Sequence, residues 1–163
     1  MLIIKRDRDG KGKRLTTTKL ITAGEIFHKI ENYHYISAPT FTSVQVGSDR
    51  NIEEFDYMAN LNHSCDPNIF LDTERFELHA IRDIAPGEEL SFFYPSTEWD
   101  MSTPFQCLCG AEHCLKHISG AKDLSLNVLS RYALNPHILR MALSCLSENN
   151  KGLVEQEEYA LVY

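Results

Sequence analysis

From Met1 to Trp99 the apolar residues come in short bursts, each cut off by glycine, proline or charge, and this texture predicts many short strands and little helix. Leu2 to Ile4 is an apolar run closed by charge, a first strand. Asp9-Gly10-Lys11-Gly12 is then a turn, because paired glycines allow φ values that other residues avoid. Leu15 to Ile21, rich in threonine and apolar residues, predicts a strand ending at the turn Thr22-Ala23-Gly24-Glu25, and Ile26, Phe27 and Ile30 continue the pattern. Tyr33, Tyr35, Phe41, Val44 and Val46 keep the chain aromatic and β-branched, with Pro39 and Gly47 as punctuation. In the segment Asn51 to Leu61, Phe55, Met58 and Leu61 fall near helical spacing and predict a helix of no more than about two turns. Phe76, Leu78 and Ala80 alternate with Glu77, His79 and Ile81, the pattern of a half-buried strand. Ile84-Ala85-Pro86-Gly87-Glu88 echoes Ile21-Thr22-Ala23-Gly24-Glu25, and since the flanks differ we read one turn chemistry used twice.

Beyond Ala121 the period changes. Leu124, Val128, Leu129, Tyr132 and Ala133 fit one helix face. Asn135-Pro136 offers a cap followed by proline at the first helical position, and Ile138, Leu139, Ala142, Leu143, Cys145 and Leu146 form a second stripe ending near Asn149 to Gly152. This predicts a helical extension of two short helices, with Cys145 as a small buried apolar residue. Leu153 to Tyr163 mixes acids with aromatics and carries no assignable role.

Composition narrows the classes. Apolar residues make up 43% and charged residues 24% of 163 residues, ordinary for one globular domain with an appended piece. The net charge of −7 argues against a broad phosphate-binding surface and suits a basic substrate. No apolar run reaches bilayer length and the start MLIIKRDRDGKGKR is soon charged, so the expectation is a cytoplasmic or nuclear protein with no membrane and no direct nucleic-acid partner. Five cysteines is an odd number, and three lie close together as C-x-C-x4-C, at Cys107, Cys109 and Cys114. Clustered thiols in an intracellular chain favour metal over disulfides. Soft thiolate suits zinc at a closed structural site, Gly110 lets the backbone fold around an ion, and His113 and His117 are alternative ligands.

Three segments carry the candidate chemistry. Asn62 to Asn68, NHSCDPN, packs two hydrogen-bonding side chains, a hydroxyl, a thiol and a proline-fixed turn into one polar corner. Gly87 to Tyr94 reads GEELSFFY, and Cys107 to Cys114 reads CLCGAEHC. In this order they resemble the SET domain of protein lysine methyltransferases with its zinc-binding post-SET tail, over about Met1 to Ile118.

The resemblance implies a mostly β fold with short helices, small curved sheets around a pseudoknot of the β-clip kind, then a post-SET zinc loop and the helical appendix. The implied boundaries are 1–103 for the SET domain, 104–120 for the zinc-binding tail and 121–163 for the extension. It makes Cys65 the fourth ligand of a structural zinc beside Cys107, Cys109 and Cys114. It implies a protein lysine N-methyltransferase using S-adenosylmethionine, with a histone tail or another basic protein as the lysine-bearing partner. Tyr94 matches the catalytic tyrosine whose hydroxyl sits by the transferring methyl. Phe92 matches a position where phenylalanine leaves room for more than one methyl group, and Tyr57 or Tyr33 would complete the channel. Asn62 and His63 would hold the cofactor, Trp99 would cover cofactor or channel, and Leu108 would touch the adenine. The glycine motif departs from the family pattern: counting back from Gly24-Glu25 gives Gly12-Lys13-Arg14 with one glycine kept, while Gly10-Lys11-Gly12 keeps both with two extra residues. The rival reading is a zinc-stapled binding module with this fold and no cofactor.

Overall fold

The structure, a computed structural model, describes residues 1–6 and 12–147. The turn expected at Asp9 to Gly12 lies largely outside the described residues, as does everything beyond Ser147. Small sheets dominate. β1 (Leu2–Arg6) pairs antiparallel with β2 (Lys13–Thr17). β3 (Ile26–Lys29), β8 (Ile69–Asp72) and β9 (Glu77–Ala80) form one antiparallel sheet in the order β3-β9-β8. β4 (Tyr33–Ile36), β5 (Val44–Gln45) and β6 (Asn51–Glu54) form another in the order β4-β6-β5. The expected alternation holds in β9, where Leu78 and Ala80 are buried between half-exposed Glu77 and His79.

The pairing that places the site is the shortest. β7 (Asn62–His63) lies parallel to β10 (Ser91–Phe92), setting Asn62 beside Ser91 and His63 beside Phe92. A parallel pair needs a long crossover, and here the chain between them folds as β8 and β9. Asn68, almost fully buried, stitches the two segments: its backbone N–H donates to Ser91 O, its side-chain oxygen accepts Ser91 N–H at 2.9 Å, and its amide donates to Glu89 O at 2.7 Å. Leu15, Ile21, Ile52, Leu61, Leu71, Leu78, Ile84, Leu90 and Phe92 make up much of one core around this junction.

The echoing turns meet. Ile21 and Ile84 exchange backbone hydrogen bonds at 3.0 and 2.9 Å. In each turn a glutamate carboxylate accepts an upstream N–H, Glu25 from Thr22 and Glu88 from Ala85, and in each the glycine takes positive φ, +82° at Gly24 and +86° at Gly87. The repeated sequence is therefore a repeated local structure, set back to back.

Elsewhere the expectations are corrected. Asn51 to Glu54 is strand, and only Met58–Asn60 forms a helical turn, of 3₁₀ type. The carboxylate of Glu54 accepts the N–H groups of Tyr57 and Met58 at 2.7 and 2.8 Å, so the turn starts only after this buried acid. The first C-terminal helix is shorter than its stripe implied, a 3₁₀ turn at Ala121–Asp123 and then α1 (Leu126–Leu129). The second, α2, spans 136–147 with Pro136 leading it. Asn135 does not cap α2 with its side chain. Fully buried, it accepts the backbone N–H and hydroxyl of Thr73 and donates to Leu71 O and Ser96 O, all at 2.9 Å. It welds the extension to β8 and the segment after Tyr94. Cys145 is exposed, not buried, because the helix turns His137 and Ile138 inward at its start and leaves Leu139, Leu143 and Leu146 outward. Among the described residues no helix is long and apolar enough to cross a membrane.

Asn135→Ala strands Leu71 O and the Thr73 N–H in the interior, while Ser96 O keeps the backbone N–H of residue 135, and is expected to cost about 2–4 kcal/mol, given roughly 1–3 kcal/mol per orphaned buried group. Urea unfolding of the two proteins measures it.

Candidate functional site: an acidic cavity beside a four-cysteine cluster

A cavity of about 800 Å³ opens where β7 and β10 end, and Asn62, His63, Phe92, Tyr94 and Leu108 all line it. The volume is that of a site for a mid-sized organic ligand. The loop after β4 closes one side, through Thr40, Phe41, Thr42 and Ser43. Leu108 is 93% exposed and Phe41 84%, so two large apolar side chains stand over its wall uncovered.

Tyr94 is the pivot. Its hydroxyl donates to Leu61 O at 2.8 Å, and its ring lies 4.8 Å from that of Phe92. Burial, reinforced by the charges of Glu98 and Glu89, pushes its pKa well above the ordinary phenol value. The phenol stays protonated at neutral pH and its one proton is committed, so it does not accept a proton from a ligand.

His63 joins the cavity to the cysteines. Its Nδ1 accepts the Tyr94 N–H at 3.2 Å, which leaves the proton on Nε2, 3.3 Å from Cys65 Sγ. Burial lowers the imidazole to about 4, so it is neutral. The Sγ atoms of Cys65, Cys107, Cys109 and Cys114 all lie within 4.8 Å of one another, with Cys65 to Cys107 at 4.0 Å. Zinc with Zn–S bonds of about 2.3 Å places tetrahedral sulfurs about 3.8 Å apart, so this donor set fits a closed zinc site. Burial raises the thiols of Cys65 and Cys107, the latter to about 11. At Cys109 burial also raises the pKa, but hydrogen bonds from Ala111, Cys65 and the neighbouring thiols outweigh it and bring it down to about 6. A divalent cation is what would let all four ionise together. His113 is not in the cluster; its Nε2 meets Cys65 O at 2.8 Å. His117 is exposed on β12 (His117–Ile118), which pairs with β11 (Phe105–Gln106).

Several expected site residues fall elsewhere. Trp99 does not reach the cavity: its indole packs against the cluster of Ala121, Leu129 and Ile138. The reason is local. Glu98 N–H donates to Tyr94 O at 2.9 Å, so the chain makes one helical turn after Tyr94, and the fourth residue on, not the fifth, shares its side. Tyr33 stacks on Phe76 at 4.8 Å and Tyr57 meets His28 edge-on at 5.1 Å; neither lines the cavity. Gly12, Lys13 and Arg14 do not form its wall either, though Lys13 O accepts Asn62 Nδ2 at 3.0 Å and ties the start of β2 to that corner. The alternative glycine pair at Gly10 and Gly12 is only half described.

Sequence reasoning missed two carboxylates. Glu89 accepts the other Asn62 amide hydrogen at 2.7 Å. Glu98 lies opposite β5, accepting Gln45 N–H at 2.9 Å and the Thr97 hydroxyl at 3.1 Å. Burial pushes it up to about 7, against those two hydrogen bonds. Both line the cavity, and among the described residues no lysine or arginine does. The wall is therefore built for cations. Glu89 was legible inside GEELSFFY; Glu98 gave no signal until the turn was known.

Comparison with known proteins agrees with this geometry. Residues 6–95 match the SET domain. The chain belongs to the SET-domain family. It is 47% identical over 120 residues to the methyltransferase flvH of Aspergillus flavus, covering 72% of this chain and 67% of that one. It is 41% identical over 61 residues to a histone-lysine N-methyltransferase, H3 lysine-4 specific, of Aspergillus fumigatus, covering 33% of this chain and 5% of that one. It thus spans about two thirds of the one relative and a small fraction of the other. The solved structure of KRYPTONITE with mCHH DNA, H3(1-15) peptide and SAH shares the fold, with a TM-score of 0.56, 23% identity, and coverage of 71% of this chain and 29% of that one. This chain is accordingly a SET-domain methyltransferase of an S-adenosylmethionine-using family, with a four-cysteine cluster after the SET domain consistent with a zinc-binding post-SET region.

Protein purified without chelator is expected to carry one zinc per chain by elemental analysis. Cys114→Ser is expected to lose the metal and loosen the segment bearing Leu108, read as faster proteolysis after Phe105.

Proposed function

We propose that this chain is an S-adenosylmethionine-dependent lysine N-methyltransferase that adds more than one methyl group, with a histone or another basic protein as the acceptor. The observation that carries the proposal is Asn62, His63, Phe92 and Tyr94 lining a single cavity whose lysine-, arginine-, aspartate- or glutamate-type wall residues, among the described residues, are Glu89 and Glu98. The two ligands of such a reaction, a sulfonium and a lysine ammonium, are both cations. The related histone-lysine and flvH methyltransferases support the reaction class, and the H3 peptide bound to KRYPTONITE supports a peptide acceptor.

The chemistry asks the protein for little covalent work. A lysine ammonium has no lone pair, and with a reference pKa near 10.4 the free amine costs about 4.6 kcal/mol at pH 7, at about 1.36 kcal/mol per unit. An enclosed cavity lowers that cost by desolvating the ammonium. S-adenosylmethionine supplies the activated methyl when bound. Asn62 and the backbone at Lys13 hold one end of the cavity, and His63 fixes the backbone of Tyr94. Leu108 and Phe41 would cover bound ligands. The Tyr94 hydroxyl, its proton tied to Leu61 O, keeps its oxygen lone pairs unused and would offer them to a methyl group carrying partial positive charge. The share of the barrier removed is mainly alignment of nucleophile, carbon and leaving sulfur. Phe92 has no hydroxyl to retain a water beside the amine, which leaves space for methyl groups already added.

Incubating labelled S-adenosylmethionine with core histones and with whole-cell protein, then locating the label by mass spectrometry, tests the reading. Transfer to a lysine side chain is expected. Absence of cofactor binding by calorimetry would favour the non-catalytic binding module. Tyr94→Phe is expected to slow transfer about 10²-fold with cofactor affinity unchanged, as for loss of one preorganised polar group at the reacting centre. Phe92→Tyr is expected to shift the product toward the monomethyl form in the same mass spectra.

A further inference from the structure

We propose that Glu98 is the group that receives the ammonium of the acceptor amine in this cavity and takes its proton, so that a carboxylate selects the substrate alongside the aromatic wall. The proposal rests on the methyltransferase reading and names a specificity-determining residue within it.

The placement is specific. Glu98 follows Tyr94 by one turn, on the same side of the chain, and both line the cavity with Phe92. Its Oε1 is held by Gln45 N–H and the Thr97 hydroxyl. Its Oε2 has no hydrogen-bond partner among the described residues, and it is not one of the sealed, unpartnered polar atoms there, which are His28 Nε2 and Glu54 Oε1. One oxygen is thus fixed, and the other is unpartnered and not sealed off, on a residue that lines the cavity. Charged and titratable neighbours do not quench it. Glu89 is another acid, and Tyr94 is a phenol with its proton given to Leu61. On the adjoining segment, Lys122 is bound to Asp100 at 2.6 Å. A carboxylate held half-buried with no cation at hand among the described residues is costly. Such an unpaired acid in a cleft, titrating near neutrality, marks a ligand site.

The role also closes the proton account. Tyr94 has no acceptor capacity for a proton at neutral pH, and His63 has its Nδ1 occupied by Tyr94 N–H. Of the two wall carboxylates, Glu89 is engaged by the Asn62 amide, whereas Glu98 lies one turn from Tyr94 and acts on its phenol more strongly, so Glu98 is the base placed at the reacting end. The ammonium gives its proton to Oε2. The freed nitrogen pair forms the N–C bond as the C–S bond breaks, and that bond's electrons stay on sulfur as a neutral thioether. Glu98 releases its proton to solvent and pairs with the methylated ammonium, which keeps an N–H for the next round until the third methyl is added. The class of acceptor so selected is an alkyl ammonium with at least one N–H.

Glu98→Gln tests this, since the amide oxygen keeps the bonds to Gln45 and Thr97 while losing the charge. In the presence of S-adenosylhomocysteine, the wild-type protein is expected to bind n-butylammonium by NMR titration, and the variant to bind it at least about tenfold more weakly, as expected for a lost charge-assisted hydrogen bond. With labelled cofactor and core histones, kcat/KM for the acceptor is expected to fall about 100-fold, with S-adenosylhomocysteine affinity within about twofold. Glu98→Asp should recover part of the loss. A purely structural role predicts the opposite stability change. Because the folded-state pKa of Glu98 lies above its unfolded value, ionisation opposes folding as pH rises through about 7. The glutamine variant should therefore melt higher than wild type at pH 8 while working less well. Unaltered n-butylammonium binding in Glu98→Gln, or none in wild type, overturns the assignment. Wild-type protein that binds n-butylammonium through Glu98 but transfers no methyl overturns the methyltransferase reading instead.

Discussion

Two residues of parallel strand, Asn62–His63 against Ser91–Phe92, hold the molecule's chemistry in one place. Such a pair has too few backbone hydrogen bonds to persist alone, and its permanence comes from what is packed and bonded around it. Asn68 satisfies three polar groups of the partner segment from a site almost without solvent. His63 takes the N–H of Tyr94 on one side and meets Cys65 on the other. The cavity, the phenol and the cysteine cluster are thereby one mechanical unit, and a metal at the cysteines would stiffen the wall that Tyr94 stands in.

The C-terminal segment belongs to this unit more than an appendix would. Tyr132 stacks on Phe93 at 3.6 Å between ring centres and donates to Cys65 O at 2.9 Å. Asn135 and His137 reach Ser96 and Thr97, the latter through His137 Nε2 at 2.8 Å. Gly120, at φ +129°, lies so close to Trp99 that an added Cβ would stand 2.5 Å from its carbonyl oxygen. The turn that carries Tyr94 and Glu98 is thus gripped from behind, which orients both toward the cavity.

Charge gives the cavity its character. Among the described residues, acids line it without a lysine or arginine, and their charges raise the buried Tyr94 phenol further. Keeping such a wall costs stability, which cationic ligands would return on binding. The same economy explains why an ordinary sheet protein tolerates a glutamate at position 98 that a core built only for folding would replace.

The motifs in NHSCDPN, GEELSFFY and CLCGAEHC identified the family, the cysteine quartet and the residues that meet in the cavity, because each chemistry needs fixed side-chain types at short spacing. The strand texture of the first hundred positions was likewise legible, since period-two burial is a local signal. What the sequence could not decide were facts of register and long-range pairing. Whether Glu98 or Trp99 faces the cavity depends on one hydrogen bond after Tyr94. Whether Asn135 caps a helix or bonds β8 depends on what stands behind it, as does the outward turn of Cys145. Local propensity sets which elements form, but a side chain's surroundings are chosen by the pairing of segments far apart in the chain, and only tertiary structure supplies those.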